Sequence, residues 1–377
     1  MCATLSRMWF WGMHGTRFSK LGLSGATMTE EEKRHAAQER VDRRFMGVSR
    51  DNPITALMYS LALEREQGEF AGEPCFTDTM HQPLPNAQQY LQMKSKVSLL
   101  PLDTLKEKMK LPSMPHVVMQ LQSAIMREAS SHEIASIIGL DPKLTAAVLS
   151  LVNSPLYAMP SKVESLERAI TVIGNNGVSS LALGVYLLSM FEDTAPQELP
   201  LETFWKHSIA SAVLANKIAR LCNKPEPERF LVAGLLHDLG QILLFSRYPS
   251  LARVTLAMQQ ELDMPLHEAE YVLFDVDHTT IGGVLFGEWS LPRSIVNSAL
   301  YHHDAEASLG HEAPEVVYVA NQMATALGIG CNRLYTADPG EAIWESLGLR
   351  EEDVRAMVQN VDEQLWAMFH TIFPGKG

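Results

Sequence analysis

The chain has 377 residues, 46% hydrophobic and 20% charged, with a formal net charge of −13, which excludes a disordered chain and leaves room for two or three compact units. The acidic balance excludes a surface that wraps nucleic acid, since such binding is driven by Lys and Arg neutralising phosphates, and favours a protein or small-molecule partner. Cys2, Cys75, Cys222 and Cys331 form no C-x-x-C pair, which suits a reducing cytoplasm, and no run approaches the roughly 18 apolar residues of a membrane span.

Residues 1–27 carry Arg7, Arg17 and Lys20 with no acid, and are expected to form a disordered tail. The helical, acidic pattern starts abruptly at Thr29-Glu30-Glu31-Glu32, so Met28, rather than Met1, is the expected start. Residues 28–100 form an extension with predicted helices over 29–45, 53–66 and 86–96, and a linker dotted with Pro and Gly over 68–85.

From residue 104 a 3.6-residue periodicity takes over, predicting an all-α domain over 104–330 with lobes at about 104–195 and 200–330. Ser130 and Glu133 read as a capping box. Asp141-Pro142 supplies a cap and a first-turn proline for a helix with Leu144, Val148 and Leu151 on its apolar face, stopped at Asn153-Ser154-Pro155. Further helices are predicted over 164–173, ended by Gly174, and over 177–191 before a loop at 192–200. A longer one begins near Glu202, followed by 230–245, 249–262, 266–274, 279–289, 292–302 and 312–327. The tail, 331–377, holds two more, the second with Val354, Met357, Val361, Leu365 and Met368 on one face.

Histidine and aspartate fall in a suggestive order in the second lobe. His207 shares a helical face with Phe204, Ser211, Leu214 and Ile218. His237-Asp238 follows an apolar run and precedes Gly240, which lets the backbone turn or pack closely. Asp277-His278 and Tyr301-His302-His303-Asp304 come next, with His302 on the face of Ile295 and Ala299 and therefore inward, and His303 more exposed. Asn321 lies within an apolar stretch. Imidazoles and a carboxylate drawn from several helices suit a divalent metal able to activate water against a phosphoester. Each histidine taken alone also fits a core role, bonded to a carbonyl.

This order resembles the HD superfamily of metal-dependent phosphohydrolases, and more specifically HDOD domains. Leu111-Pro112-Ser113-Met114-Pro115, Asp141-Pro142, Asn153-Ser154-Pro155, Phe204-Trp205, His237-Asp238, Asp277-His278, Gly282-Gly283, Trp289 to Pro292 and Tyr301-His302-His303 carry the resemblance. It implies an all-helical HD-like domain in two packed lobes, used in bacterial signal transduction. It also implies His207, His237 and Asp238 as metal ligands, with Asn321 standing where the superfamily has its last Asp. A neutral amide is a poorer ligand than a carboxylate, so a non-catalytic module that binds a signalling protein is expected first. The alternative is a phosphohydrolase acting on a nucleotide or phosphodiester, in which Fe, Mn, Zn, Ni or Mg binds and His278, His302 and His303 contact phosphate or a second ion. A third possibility is a sensor that binds a metal, nucleotide or cyclic dinucleotide without turnover.

Overall fold

The computed structural model describes residues 29–68, 112–191, 201–262, 264–330 and 336–373. The tail 1–27 with Met28, most of the linker, the helix expected over 86–96, Leu111 and the loop 192–200 lie outside these residues. Every regular element among the described residues is an α-helix, which bears out the all-α expectation.

In chain order the helices are α1 (Glu30–Arg44), α2 (Pro53–Gln67), α3 (His116–Met126), α4 (Ser131–Gly139), α5 (Pro142–Val152) and α6 (Leu166–Ser189). They continue with α7 (Leu201–Leu221), α8 (Pro227–Leu236), α9 (Leu239–Arg247), α10 (Pro249–Glu261), α11 (Leu266–Phe274) and α12 (His278–Glu288). The last six are α13 (Arg293–Tyr301), α14 (Ala305–Ser308), α15 (Glu312–Ala326), α16 (Glu341–Leu347), α17 (Glu351–Val358) and α18 (Val361–Ile372). The chain divides into two units, Met1–Ala36 and Ala37–Gly377. The described part of the first is the opening of α1, capped by Thr29 and Glu32, which exchange backbone N–H to side-chain bonds.

Local signals set the helix starts. Ser130 Oγ accepts from Glu133 N, and Asp141 Oδ1 accepts from Lys143 N and Leu144 N, so both caps fall where the sequence puts them, but the expected capping box is not closed, since the Glu133 carboxylate pairs with Arg127 instead. Gly174 ends the first of the two stretches, as expected: at φ 80°, ψ 167° it is non-helical and kinks α6, so that the second stretch leaves it as a separate helical segment. The stretch expected over 230–245 is instead broken at His237-Asp238, between α8 and α9. The described part of the tail has three helices rather than two, because helical structure is interrupted between Val358 and Val361; Val354, Met357, Val361, Leu365 and Met368 are nonetheless all buried.

In the second unit α7 is buried on almost every side, which marks a central helix rather than a surface one. It packs on α8, α15 and α18, while α6 joins α3, α4 and α5 to α8. A Cβ on Gly234 of α8 would come 2.9 Å from both Ala212 Cα and Ser211 O of α7, so only glycine lets these helices meet as closely as they do. Gly240 of α9 plays the same part against α12, where a Cβ would come 2.0 Å from the His278 carbonyl oxygen. Trp205 is 1% exposed and stacks on Phe373 at 5.3 Å between centroids, joining the C-terminal residues to the core. Two stretches, Leu166–Ser189 and Pro227–Arg247, are apolar on average over the length of a membrane span, but polar residues interrupt both and most of their apolar residues are buried within the fold, as in core helices.

Candidate metal centre

Five helices or their ends bring the singled-out residues together. His207 comes from the middle of α7, His237 and Asp238 from the break between α8 and α9, and His278 from the first turn of α12. His302 and His303 follow α13, and Asn321 lies on α15. His207, His237, His278 and His302 are 0% exposed and Asp238 2%, while His303 is only half-buried, as expected from its face.

Each of the four buried imidazoles has Nδ1 against an oxygen. His237 Nδ1 lies 2.7 Å from the Gly234 carbonyl and His302 Nδ1 lies 2.9 Å from that of Ala299. Both rings sit one step beyond a helix end, where the last carbonyls lack helical partners, so each imidazole caps its own helix. His207 Nδ1 meets the Ile329 carbonyl at 3.1 Å, and His278 Nδ1 meets Glu270 Oε2 at 2.6 Å. That same carboxylate oxygen accepts the His278 backbone N–H at 2.9 Å, satisfying an N-terminal donor of α12. An acceptor at Nδ1 puts the proton there, so Nε2 is the atom each ring turns to its other side.

The Nε2 atoms converge on Asp238. Its Oδ2 lies 3.2 Å from His237 and 3.6 Å from His207, and its Oδ1 lies 3.3 Å from His278 and 3.1 Å from His302. His278 Nε2 is also 3.1 Å from His302 Nε2 and 3.2 Å from His303 Nε2. Nitrogen lone pairs cannot face each other at that range unless a proton or cation stands between them. His237 Nε2 and Asp238 Oδ1 make no hydrogen bond among the described residues despite being buried, the condition in which an ion is to be sought. With metal–nitrogen bonds of about 2.0–2.1 Å, neighbouring donors of one cation lie roughly 3 Å apart, which matches these separations. The donors form two sets that share Asp238: His207, His237 and Asp238, and Asp238, His278, His302 and His303. The residues of either set therefore fit a divalent cation.

The electrostatics follow the same plan. Burial alone would raise the Asp238 carboxyl, but His237, His278 and His302 around it hold it well below the usual carboxylate range. Burial works against the charged form of His278 too, yet the Glu270 and Asp238 carboxylates drive that imidazole well above its ordinary value. His207 is pushed down by burial, opposed by Asp238. Burial and the neighbouring His267, His302 and His278 push His303 well below its usual range.

Asn321 lies against His207. Its Nδ2 donates to the His302 carbonyl at 3.1 Å, which fixes the amide so that Oδ1 faces His207 Nε2 at 2.9 Å. Asp277, grouped with His278 in the sequence, turns away from the cluster and caps α12 by accepting from Thr280 N and the Thr279 hydroxyl. Asp304 likewise caps α14. The sequence reading missed Glu270, which orients His278, and His267, whose ring stacks on His303 at 4.2 Å. Neither sits in a motif, and beside Glu268 in the same short helix neither stands out by its residue type.

The HDOD domain family model matches residues 111–305. An uncharacterized protein of Treponema pallidum is 26% identical over 200 residues, 52% of this chain, and the match spans 38% of that relative's length. Among solved structures, an HDOD domain protein of unknown function from Geobacter sulfurreducens has a TM-score of 0.57 at 23% identity, covering 76% of this chain and 96% of that one. A protein from Marinobacter aquaeolei, provisionally described as a signal transduction protein, gives 0.59 at 21% identity, covering 76% of this chain and 65% of its own. One from Shewanella amazonensis, provisionally described as a phosphohydrolase, gives 0.57 at 18%, covering 71% and 97%. At such identities the likeness concerns the fold.

Proposed function

Because the chain belongs to the HDOD family, we propose that it is a non-catalytic cytoplasmic signalling module, in which a divalent cation on the His–Asp cluster sets the conformation offered to a signalling-protein partner. The observation that carries this reading is the closure of the site. His207, His237 and Asp238 are buried, and the Asn321 amide oxygen fills the position beside them. A catalytic cation keeps an open position for water, whereas a structural one is enclosed by protein donors. Histidine-rich donors with a single shared carboxylate favour Zn, Fe or Ni over Mg, which prefers oxygen. His207, His237, Asp238 and the Asn321 oxygen would hold one cation, and Asp238, His278, His302 and His303 another. A bound cation would neutralise the carboxylate and tie five elements together.

Metal-dependent hydrolysis of a nucleotide or phosphodiester is the second reading. The half-buried His303 favours it, since it gives the second donor set an edge toward solvent. The test joins elemental analysis of the untagged protein with a chromogenic phosphodiester and cyclic-dinucleotide assay. Stoichiometric metal, lost in a His237→Ala, Asp238→Ala control, without turnover is the expected result. Asn321→Asp should tighten binding at the His207 side by about 10-fold, as a carboxylate replaces an amide beside a cation. Turnover by the wild-type protein would replace the signalling reading with the hydrolase, and a metal-free folded protein would remove the cation from both.

A further inference from the structure

The helices α1 and α2 precede the family-matched residues, yet their arginines reach the turn that supplies the backbone partner of His207. Arg44, 1% exposed, donates from Nη1 to the Ala326 carbonyl at 3.0 Å and from Nη2 to Glu66 Oε1 at 2.7 Å. Arg65 donates from Nη1 to the Leu327 carbonyl at 3.2 Å, while its Nη2 and Nε hold the two oxygens of Asp362 at 2.9 and 3.4 Å. The last carbonyls of α15, which have no helical donors of their own, are thus capped by guanidinium groups from the N-terminal pair.

The chain beyond Leu327 has little freedom. Gly328 and Gly330 adopt φ of +73° and +81°, in the left-handed region. A Cβ on Gly328 would come 2.5 Å from Arg44 Nη2, and one on Gly330 would come 2.3 Å from His207 Cβ and 2.7 Å from the Thr203 carbonyl oxygen. The turn is wedged between Arg44 on one side and the backbone of α7 on the other. Between the two glycines, Ile329 offers its carbonyl to His207 Nδ1 at 3.1 Å. The opposite edge of the same ring meets Asn321 Oδ1 at 2.9 Å, from the same α15. Both oxygens that face the His207 ring nitrogens therefore belong to a helix and turn whose end the two arginines grip.

We propose that Arg44 and Arg65 are positioning residues for His207. With their grip on the turn in place, the Ile329 carbonyl holds His207 Nδ1–H and Nε2 is turned toward Asp238. Loss of that grip releases the ring and weakens cation binding at the His207 half, leaving the His278–His302–His303 half in place. The cation-dependent part of this proposal rests on the metal reading above; the positioning of His207 does not.

The test uses the full chain with Arg65→Ala, Arg65→Lys and Arg44→Lys, and Co(II) as the probe. Visible absorption follows binding at the two halves. In the metal-free protein, 15N-edited NMR follows solvent exchange of the His207 Nδ1–H, assigned from a His207→Ala spectrum. Arg65→Ala should speed that exchange about 10-fold and weaken Co(II) at the His207 half by about 10-fold, the lower end of what a supporting residue contributes to metal affinity. The other half should be unchanged, and Arg65→Lys should restore most of both effects. Unaltered exchange in Arg65→Ala would overturn the proposal, as would equal weakening of both halves together with a lower Tm, which marks general destabilisation. If the wild-type protein binds no Co(II), the metal reading fails while the exchange rate still decides the role of the arginines.

Discussion

Gly240→Ala tests how the fold assembles the cluster. An alanine Cβ at this position would stand 2.0 Å from the His278 carbonyl oxygen and 2.6 Å from Gly282 N, both backbone atoms that no rotamer change can move. Restoring ordinary contact requires α9 and α12 to part by more than about 1 Å, and overpacking of this kind costs roughly 1–3 kcal/mol. Because the stiff neighbour is a helix backbone, the upper end, about 3 kcal/mol, is expected. The same parting pulls His278 from Asp238 Oδ1, now 3.3 Å away, so cation retention should fall with stability. Gly287→Ala, on the same α12, is the control: nothing lies within 4 Å of its Cβ, and removing a helical glycine should stabilise by about 0.5–1 kcal/mol. Urea unfolding of both variants, with metal analysis, makes the comparison. A Gly240→Ala protein within about 0.5 kcal/mol of wild type, the range of an ordinary surface substitution, would refute the argument that close approach of α9 and α12 builds the site.

Two pH predictions follow from groups remote from the cluster. Glu66, 2% exposed, is raised by burial but brought below its usual value by Arg44 and Arg40, so its stabilisation is present above the unfolded value near 4.5 and is lost as pH falls below it. Glu66→Gln should cost about 3 kcal/mol at neutral pH by leaving Arg44 without its buried counter-charge, and chemical denaturation should show the gap closing on acidification below that value; a constant gap would contradict the pairing. Burial lowers Lys217 to about 8, against an ordinary 10.5, although its Nζ donates to the Met357 carbonyl at 2.7 Å. Between those two values the unfolded chain binds more protons, so stability should rise with pH across the window, by about 1–2 kcal/mol after allowance for partial exposure. Lys217→Met should abolish the rise, and an identical pH profile in the variant would exclude Lys217 as its source.

How much of this was legible beforehand differs from residue to residue. The caps at Ser130 and Asp141 were legible because they depend on a side chain and an N–H two or three residues away. The inward face of His302 was legible because Ile295 and Ala299 lie on the same turn pattern. The break at His237-Asp238 was legible only in part: the pair ends an apolar run ahead of Gly240, but apolar residues resume at Leu239, so the periodicity runs through it. Glu270 was hidden because its partnership with His278 crosses the end of α11 and the start of α12. Ile329 acts through its carbonyl, an atom every residue has, so no residue type could announce it.

The sequence by itself determined the helical class, many of the helix starts, the order of histidines and aspartate along the chain, and the amide at position 321, because each depends on neighbours a few residues apart or on residue identity alone. Only the tertiary structure decided that four imidazoles from four elements direct their Nε2 atoms toward one carboxylate, that Asp277 caps a helix instead of joining them, and that arginines from the N-terminal pair hold the turn behind His207. Those outcomes turn on how closely helices cross, and glycines such as Gly234 and Gly240 set that distance through the backbones they meet from distant parts of the chain.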